Sequence, residues 1–166
     1  MRVLGIDPGT VKMGFGIVEE TTNQLKAIAY GVISVPAKSL IEKKLLLIYR
    51  GLQEVLDKYH PEEVALEEPF VSENVRSAMS IGRAQAIAFL AASEKGLPIF
   101  RYSPSQVKLQ ATNYGGSSKE QVGEIVKIQP NLRDSKIAED ATDALAVAIC
   151  HLNQSHINRM TQEYTE

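Results

Sequence analysis

The chain has 166 residues, of which 44% are hydrophobic and 23% are charged, with a formal net charge of -2 at pH 7. This length favours one domain with a core of its own, and the composition is ordinary for a soluble globular protein. No apolar run is long enough to span a membrane, so we expect no membrane association. We predict one domain over residues 1–153 and a polar tail over residues 154–166.

Three strands are predicted at the start of the chain, over residues 2–7, 12–19 and 26–35. The links between them are short, which favours an antiparallel meander. An acid, Asp7, comes after only a few apolar residues, so the N-terminus does not resemble a signal peptide. The single cysteine suits a reducing compartment, and we therefore expect a cytoplasmic protein.

A helix and a fourth strand are predicted next. Ser39 and Glu42 have the spacing of a capping box at the start of the helix. The helix is predicted to end at His60-Pro61. The apolar run that follows ends at Glu67, with Glu68 beside it. Neighbouring residues of a strand point to opposite faces, so the two acids are not equivalent, and we favour Glu67 for a site.

A long helix from Asn74 to about Lys95, closed by Gly96, is rich in alanine, serine and glycine. Such small side chains permit another helix to approach closely. Burial within the monomer and a dimer interface both explain them, and the sequence leaves both open. A fifth strand is predicted over residues 97–102.

The segment between Arg101 and Lys136 holds six basic and three acidic residues, although the whole chain is slightly acidic. Ser103 and Pro104 predict the start of a helix, and a glycine loop at residues 113–116 ends it. A local excess of cations is the kind of surface that binds phosphate groups.

The last predicted helix begins with Asp140 and Asp143 and continues, nearly all apolar, to about Leu152. A helix this apolar is expected to be buried, so the acids at its start border the core. Cys150 lies within it, and we predict that its thiol serves packing only. His151 and the other two histidines do not have the spacing of metal ligands, and we assign them no role.

Four carboxylates therefore lie where a metal-dependent nuclease needs them. Asp7 and Glu67 end strands, while Asp140 and Asp143 are three residues apart and project from one helix face. Mg²⁺ prefers oxygen ligands, and two ions can stabilise both the attacking and the leaving oxygen of a phosphodiester displacement. Mn²⁺ suits the same ligands and is expected to substitute.

An ordered set of motifs resembles that of the RuvC-type Holliday-junction resolvases, over roughly residues 1–152. Each motif is weakly specific alone, but their order and spacing together are highly specific. The motifs are Gly5-Ile6-Asp7-Pro8-Gly9-Thr10, Ala65-Leu66-Glu67-Glu68, Asn74-Val75-Arg76-Ser77-Ala78, Tyr102-Ser103-Pro104 with Val107-Lys108, Lys119-Glu120-Gln121-Val122, and Asp140-Ala141-Thr142-Asp143-Ala144-Leu145-Ala146.

The resemblance implies a ribonuclease H-like fold, a homodimer, and Mg²⁺-dependent paired nicking of four-way DNA junctions. A branch-migration helicase complex is an expected partner. By position, the catalytic acids and metal ligands are Asp7, Glu67, Asp140 and Asp143. The residues for which we predict DNA contacts are Phe70, Asn74, Arg76, Lys108, Tyr114 and Lys119.

Some positions depart from the usual family pattern. Pro69 replaces an aliphatic residue, Glu73 replaces a common lysine, and Asn113-Tyr114-Gly115 replaces a Gly-x-Gly loop. These departures leave the four acids untouched and bear on the junction contacts. Without the family, Phe70 also fits a position in the core.

We predict an α/β domain with a mixed five-stranded sheet and helices on both faces, acting as a structure-specific endonuclease. A related nuclease that processes ribosomal RNA precursors is one alternative, and a noncatalytic junction-binding protein is another. The turn from Asp7 to Thr10 also resembles those that open sugar-kinase and actin-like ATPase domains. That class usually needs a second phosphate loop and a second domain, and neither is found in the sequence.

Overall fold

The fold is described from a computed structural model, which covers residues 1–22, 24–68, 74–113, 120–122 and 137–163. The strands are β1 (Arg2–Asp7), β2 (Lys12–Glu20), β3 (Leu25–Ser34), β4 (Glu63–Glu67) and β5 (Ile99–Tyr102). They form one sheet in the order β3-β2-β1-β4-β5. β1, β2 and β3 are an antiparallel meander, whereas β4 runs parallel to β1 and β5 runs parallel to β4. The sheet is therefore mixed, with β1 at its centre.

The main helices are α1 (Ile41–Tyr59), α2 (Val75–Glu94), α3 (Pro104–Asn113) and α4 (Glu139–Glu163). α1 ends at His60, which adopts a left-handed conformation and donates its backbone N–H to the carbonyl of Leu56. α2 begins at Asn74, whose side chain accepts hydrogen bonds from two backbone N–H groups of the first turn. None of the helices in the described part of the chain is long and apolar enough to cross a membrane.

Two hydrophobic cores lie on opposite faces of the sheet. Side chains of a strand alternate between faces, so Val3 joins the core under α4, whereas Leu4 and Ile6 join the core under α1 and α2. Leu145 and the following apolar residues of α4 fill the first core, and Ala84 and Ala88 of α2 enter the second. β1 is consequently buried on both sides.

These observations confirm the predicted architecture. The meander, the mixed five-stranded sheet and the helices on both faces are all present. The burial of Cys150 is confirmed as well, and burial raises the pKa of its thiol to about 12, which suits a packing role.

Two predictions about helix ends are wrong. Leu40 caps α1 without a side-chain hydrogen bond, because Ser39 lies one position too early and its N–H closes a turn onto Pro36. α4 does not end near Leu152 but continues to Glu163, into the segment predicted to be a tail. Polar residues such as glutamine and glutamate sustain a helix, and no proline or glycine interrupts this one.

Candidate active site

Asp7 and Glu67 lie side by side at the C-terminal ends of the adjacent strands β1 and β4. β1 and β4 are parallel neighbours in which Ile6 lies opposite Leu66, so the next residue of each strand reaches the same edge. The two carboxyls share a hydrogen bond. The parallel pairing therefore brings together two acids that are far apart in the sequence.

The first turn of α4 lies directly against β1 and β2. A Cβ atom at Gly14 would lie 1.9 Å from the carbonyl oxygen of Asp140, and one at Gly5 would lie 2.0 Å from that of Ala144. Only a residue without a side chain permits backbones to approach this closely. These two glycines thus let α4 carry Asp140 and Asp143 to the sheet edge that holds Asp7.

Glu67, Asp143 and Asp140 all lie close enough to Asp7 to act on its carboxyl electrostatically. Burial, and then the negative charges of Glu67, Asp143 and Asp140, raise the pKa of Asp7 from 3.8 to about 7. Burial and the charge of Asp143 also raise the pKa of Glu67, although its hydrogen bond with Asp7 and the nearby Lys108 oppose that shift. The hydrogen bond raises the pKa of Asp7 and lowers that of Glu67, as expected for two neighbouring carboxyls that cannot both ionise easily.

This donor set has the chemistry of a site for hard divalent cations. Carboxylate oxygens are the ligands that Mg²⁺ and Mn²⁺ prefer, and a cation would offset the charges that now repel one another. In the part of the chain that the structure describes, no three His, Cys, Asp or Glu side chains form a ready-made ligand set. The acids therefore stand within Coulombic range of one another rather than in ligand geometry.

The structure distinguishes Glu67 from its neighbour Glu68. Glu67 is half-buried beside Asp7, whereas the exposed Glu68 lies 3.8 Å from Arg101 in a surface ion pair. Lys108, exposed on α3, lies close enough to Glu67 to lower the pKa of that carboxyl. This arrangement supports the choice of Glu67 and places a cation at the rim of the acidic site.

The predicted DNA contacts are only partly covered by the structure. Asn74 caps α2 and Arg76 is exposed in its first turn. Lys108 lies beside the acids, as described above. Phe70, Tyr114 and Lys119 fall outside the described residues, as do Pro69 and Glu73.

Sequence reasoning missed a buried polar cluster around His151. The ring is fully buried, with Nδ1 2.7 Å from the Tyr102 hydroxyl and Nε2 2.5 Å from Glu63 Oε2. The cluster ties α4 to β4 and β5. A histidine within an otherwise apolar helical run was the available signal, because a buried imidazole needs partners for both nitrogens.

A second missed set joins α2 to the acid-bearing strands. The hydroxyl of Thr10 bonds with that of Ser80, and Gln85 donates to the main-chain carbonyl of Glu67. Thr10 belongs to a turn motif that the sequence does show. Ser80 and Gln85 carry no local signal, because they are two polar residues in a helix of mixed composition.

Comparisons with known proteins identify the family. The family model described as "Crossover junction endodeoxyribonuclease RuvC" matches residues 3–151. A protein of that name from Dehalococcoides mccartyi is 46% identical over 154 residues, covering 93% of this chain and 92% of its own. A second, from Thermotoga maritima, is 40% identical over 163 residues, covering 98% of this chain and 97% of its own.

A solved structure agrees with the sequence comparisons. The structure titled "T. thermophilus RuvC in complex with Holliday junction substrate" superposes with a TM-score of 0.83 at 30% identity, covering 95% of this chain and 96% of that one. The fold is accordingly ribonuclease H-like, as the resemblance implied. On the extent and level of these similarities, the chain belongs to the RuvC family of crossover junction endodeoxyribonucleases.

Proposed function

We propose that this protein is a structure-specific endonuclease that resolves four-way DNA junctions by paired, symmetric nicks. The observation that carries the proposal is the convergence of Glu67, Asp140 and Asp143 on Asp7, whose pKa all three raise. Membership of the family supports the reaction class. The related protein from T. thermophilus, solved with a Holliday junction substrate, supports the substrate.

The four acids would hold Mg²⁺, two ions in each active site, with Mn²⁺ as a substitute. When bound, the metal supplies charge stabilisation to phosphodiester hydrolysis. Asp7 and Glu67 would provide the strand-end ligands, and Asp140 and Asp143 the helix ligands. Because the pKa of Asp7 is raised, a proton bound there would have to leave before the carboxylate could bind a cation.

A homodimer would present two such sites to the two-fold symmetry of a four-way junction. α2 offers a surface for it, because exposed Val75, Met79 and Leu90 follow one another at helical spacing on a single stripe. Gly82 belongs to the same stripe, and a Cβ atom there would meet nothing within 4 Å. The second copy would cover this α2 stripe.

Contacts with DNA are proposed beyond the acids. Arg76 and Lys108 are exposed cations on α2 and α3, and the latter lies beside Glu67. Such cations position a duplex by its phosphates rather than by its sequence. Contacts by Phe70, Asn74, Tyr114 and Lys119, the helicase partner and the cytoplasmic location stay predictions from the sequence.

A cleavage assay on a synthetic four-way junction tests the proposal. With Mg²⁺ or Mn²⁺ the wild-type protein should give two symmetric nicks, and with EDTA none. Asp7→Asn should bind the junction but cut at least about 100-fold more slowly, because losing one ligand weakens the metal site. A linear duplex and a structured RNA serve as control substrates.

Glu67→Gln and Glu68→Gln form a matched pair in the same assay. The first should abolish cleavage, and the second should cut at nearly the wild-type rate. Loss of cleavage in Glu68→Gln alone would show that the wrong neighbour was chosen. Preference for the RNA would favour the ribosomal RNA alternative, and metal-independent binding without any cut would favour a noncatalytic junction-binding protein.

A further inference from the structure

α2 bonds to the end of each strand that carries a proposed metal ligand. Thr10 Oγ1 and Ser80 Oγ are 2.5 Å apart, which joins α2 to the turn that follows Asp7. Gln85 Nε2 donates to the main-chain carbonyl oxygen of Glu67 at 3.4 Å. One helix therefore holds the carboxyl edge of both β1 and β4 through side-chain hydrogen bonds.

The Thr10–Ser80 contact is positioned to fix the conformation of the Asp7 turn. Thr10 is only 8% exposed, and a buried hydroxyl left without a partner is costly. Its β-branched side chain has restricted rotation about χ1, so a bond at the hydroxyl constrains the backbone that bears it. Two residues separate it from Asp7, and the turn is tight, since a Cβ at Gly9 would lie 2.0 Å from the Lys12 carbonyl oxygen.

We propose that Ser80, acting through Thr10, is a positioning residue for Asp7, and that Gln85 has the same role for Glu67. Groups that orient ligands are often as important as the ligands, because they hold the carboxylates where a cation can bind them. This inference rests on the proposed function of the four acids. None of these three residues is itself assigned a contact with metal or DNA.

Removing the hydroxyl of Thr10 or of Ser80 should lower the metal affinity of the site without lowering the affinity for DNA. We expect Thr10→Val and Ser80→Ala each to lower the Mn²⁺ affinity of the DNA-free protein about 10-fold, and the cleavage rate at a fixed subsaturating metal concentration by a similar factor. Junction affinity measured in Ca²⁺ should be unchanged. Gln85→Met should show a smaller loss, because its hydrogen bond is the longer one.

A double-mutant cycle separates positioning from general destabilisation. The Thr10→Val and Ser80→Ala double variant should lose no more Mn²⁺ affinity than the worse single variant, because both changes delete the same bond. Thr10→Ser and Ser80→Thr keep both hydroxyls and should retain wild-type Mn²⁺ affinity. Thr21→Val makes the same substitution at an exposed residue of the distant β2–β3 hairpin, where the hydroxyl donates to the carbonyl of Gln24 at 3.1 Å, and serves as the control.

Two outcomes would overturn the proposal: unchanged Mn²⁺ affinity in both single variants, with or without a fall in thermal stability, or losses that multiply in the double variant. Calorimetric Mn²⁺ titration of the DNA-free protein is the primary measurement. If the wild type binds Mn²⁺ but cuts no junction, the proposed function fails. The titration series then still decides whether Thr10 and Ser80 position the acids.

Discussion

Asp7 and Glu67 are half-buried carboxyls at neighbouring strand ends, where burial makes two negative charges at once unfavourable. Burial and the neighbouring negative charges therefore raise the pKa of Asp7, and its hydrogen bond with Glu67 adds to that shift. The same crowding of negative charge would give the proposed metal site its affinity for cations, because a divalent ion would offset the charges of the four acids. The free-energy cost of these charges in the metal-free protein and the proposed capacity to bind metal thus have one cause, the crowding of carboxylates.

The raised pKa of Asp7 predicts how the stability of the metal-free protein depends on pH. The folded protein holds this proton more tightly than the unfolded chain, since the pKa rises from 3.8 to about 7 on folding. The contribution of Asp7 to the free energy of unfolding is therefore fully present below about pH 4 and falls as the pH rises towards about 7, by about 2 kcal/mol after allowance for partial exposure.

Asp7→Asn should remove most of that pH dependence, because an asparagine amide can donate the same hydrogen bond to Glu67 without titrating. Urea unfolding in EDTA between pH 4 and 8 measures the effect, with Asp57→Asn, an exposed acid in an ion pair on α1, as the control. An unchanged slope for Asp7→Asn would contradict the raised pKa. Added Mg²⁺ should restore wild-type stability at pH 7 but not that of the variant.

At the scale of elements, the site depends on how α4 meets the sheet. The helix approaches β1 and β2 over glycines, and it is fixed near its midpoint by the buried bonds of His151 to Tyr102 and Glu63. Its apolar middle fills one of the two cores. The position of Asp140 and Asp143 is therefore set by packing along the whole helix rather than by the acids themselves.

Gly14→Ala should displace the first turn of α4. The added methyl would lie 1.9 Å from the carbonyl oxygen of Asp140, so the helix has to move. We expect a loss of about 1–3 kcal/mol in the free energy of unfolding, together with reduced cleavage. Gly82→Ala is the matched control, because its methyl meets nothing within 4 Å and alanine favours a helix. Equal stability of the two variants would refute the close approach.

At the scale of the whole molecule, the α2 stripe belongs to the same helix that contacts the strands of the acidic site. Val75, Met79 and Leu90 face outwards, whereas Ser80 bonds towards the active-site turn. A partner subunit covering the stripe would thus rest on the element that holds the acids. The paired nicks that we propose would then be made by two sites built against one shared seam.

Met79→Glu should break the proposed dimer. Met79 is 53% exposed in the single chain, and a charge buried in a symmetric interface would face its own copy. Leu46→Glu makes the same kind of change at a residue of α1 that is 46% exposed, and it should leave the dimer intact. Sedimentation should show monomers for the Met79→Glu variant only. In the cleavage assay, that variant should make single rather than paired nicks. A wild-type protein that stays monomeric at high concentration would contradict the proposed dimer interface on the α2 stripe.

Binding of the junction should depend on salt through Lys108. Each phosphate contact that is lost should reduce the slope of log K against log salt by about 0.9 for duplex DNA. Lys108→Ala should show that change on junction and linear duplex alike, whereas Lys26→Ala, an exposed lysine on β3, should not.

Phe70→Ala should instead lower junction affinity selectively, because only the junction offers unstacked bases. Equal losses on both substrates would argue against stacking.

The sequence by itself determined the parts that depend on local pattern and on chemistry. Alternating and helical periodicities were enough for the five strands and the main helices, because each element shows its buried face in its own residues. Asp7 and Glu67 drew attention because each ends an apolar run, and Asp140 and Asp143 because they open a helix that continues nearly all apolar. The predicted end of α4 was wrong because the residues after Leu152 still favour a helix, although they no longer show the apolar pattern by which the helix was recognised.

Only the tertiary structure decided which of these residues act together. The neighbouring positions of Asp7 and Glu67, the approach of Asp140 over Gly14 and the bond between Thr10 and Ser80 all join segments far apart in the chain. None of them leaves a local signal, because each depends on the order of strands in the sheet and on the packing of helices across it. The sequence therefore supplied the chemistry of the site, and the fold supplied its geometry.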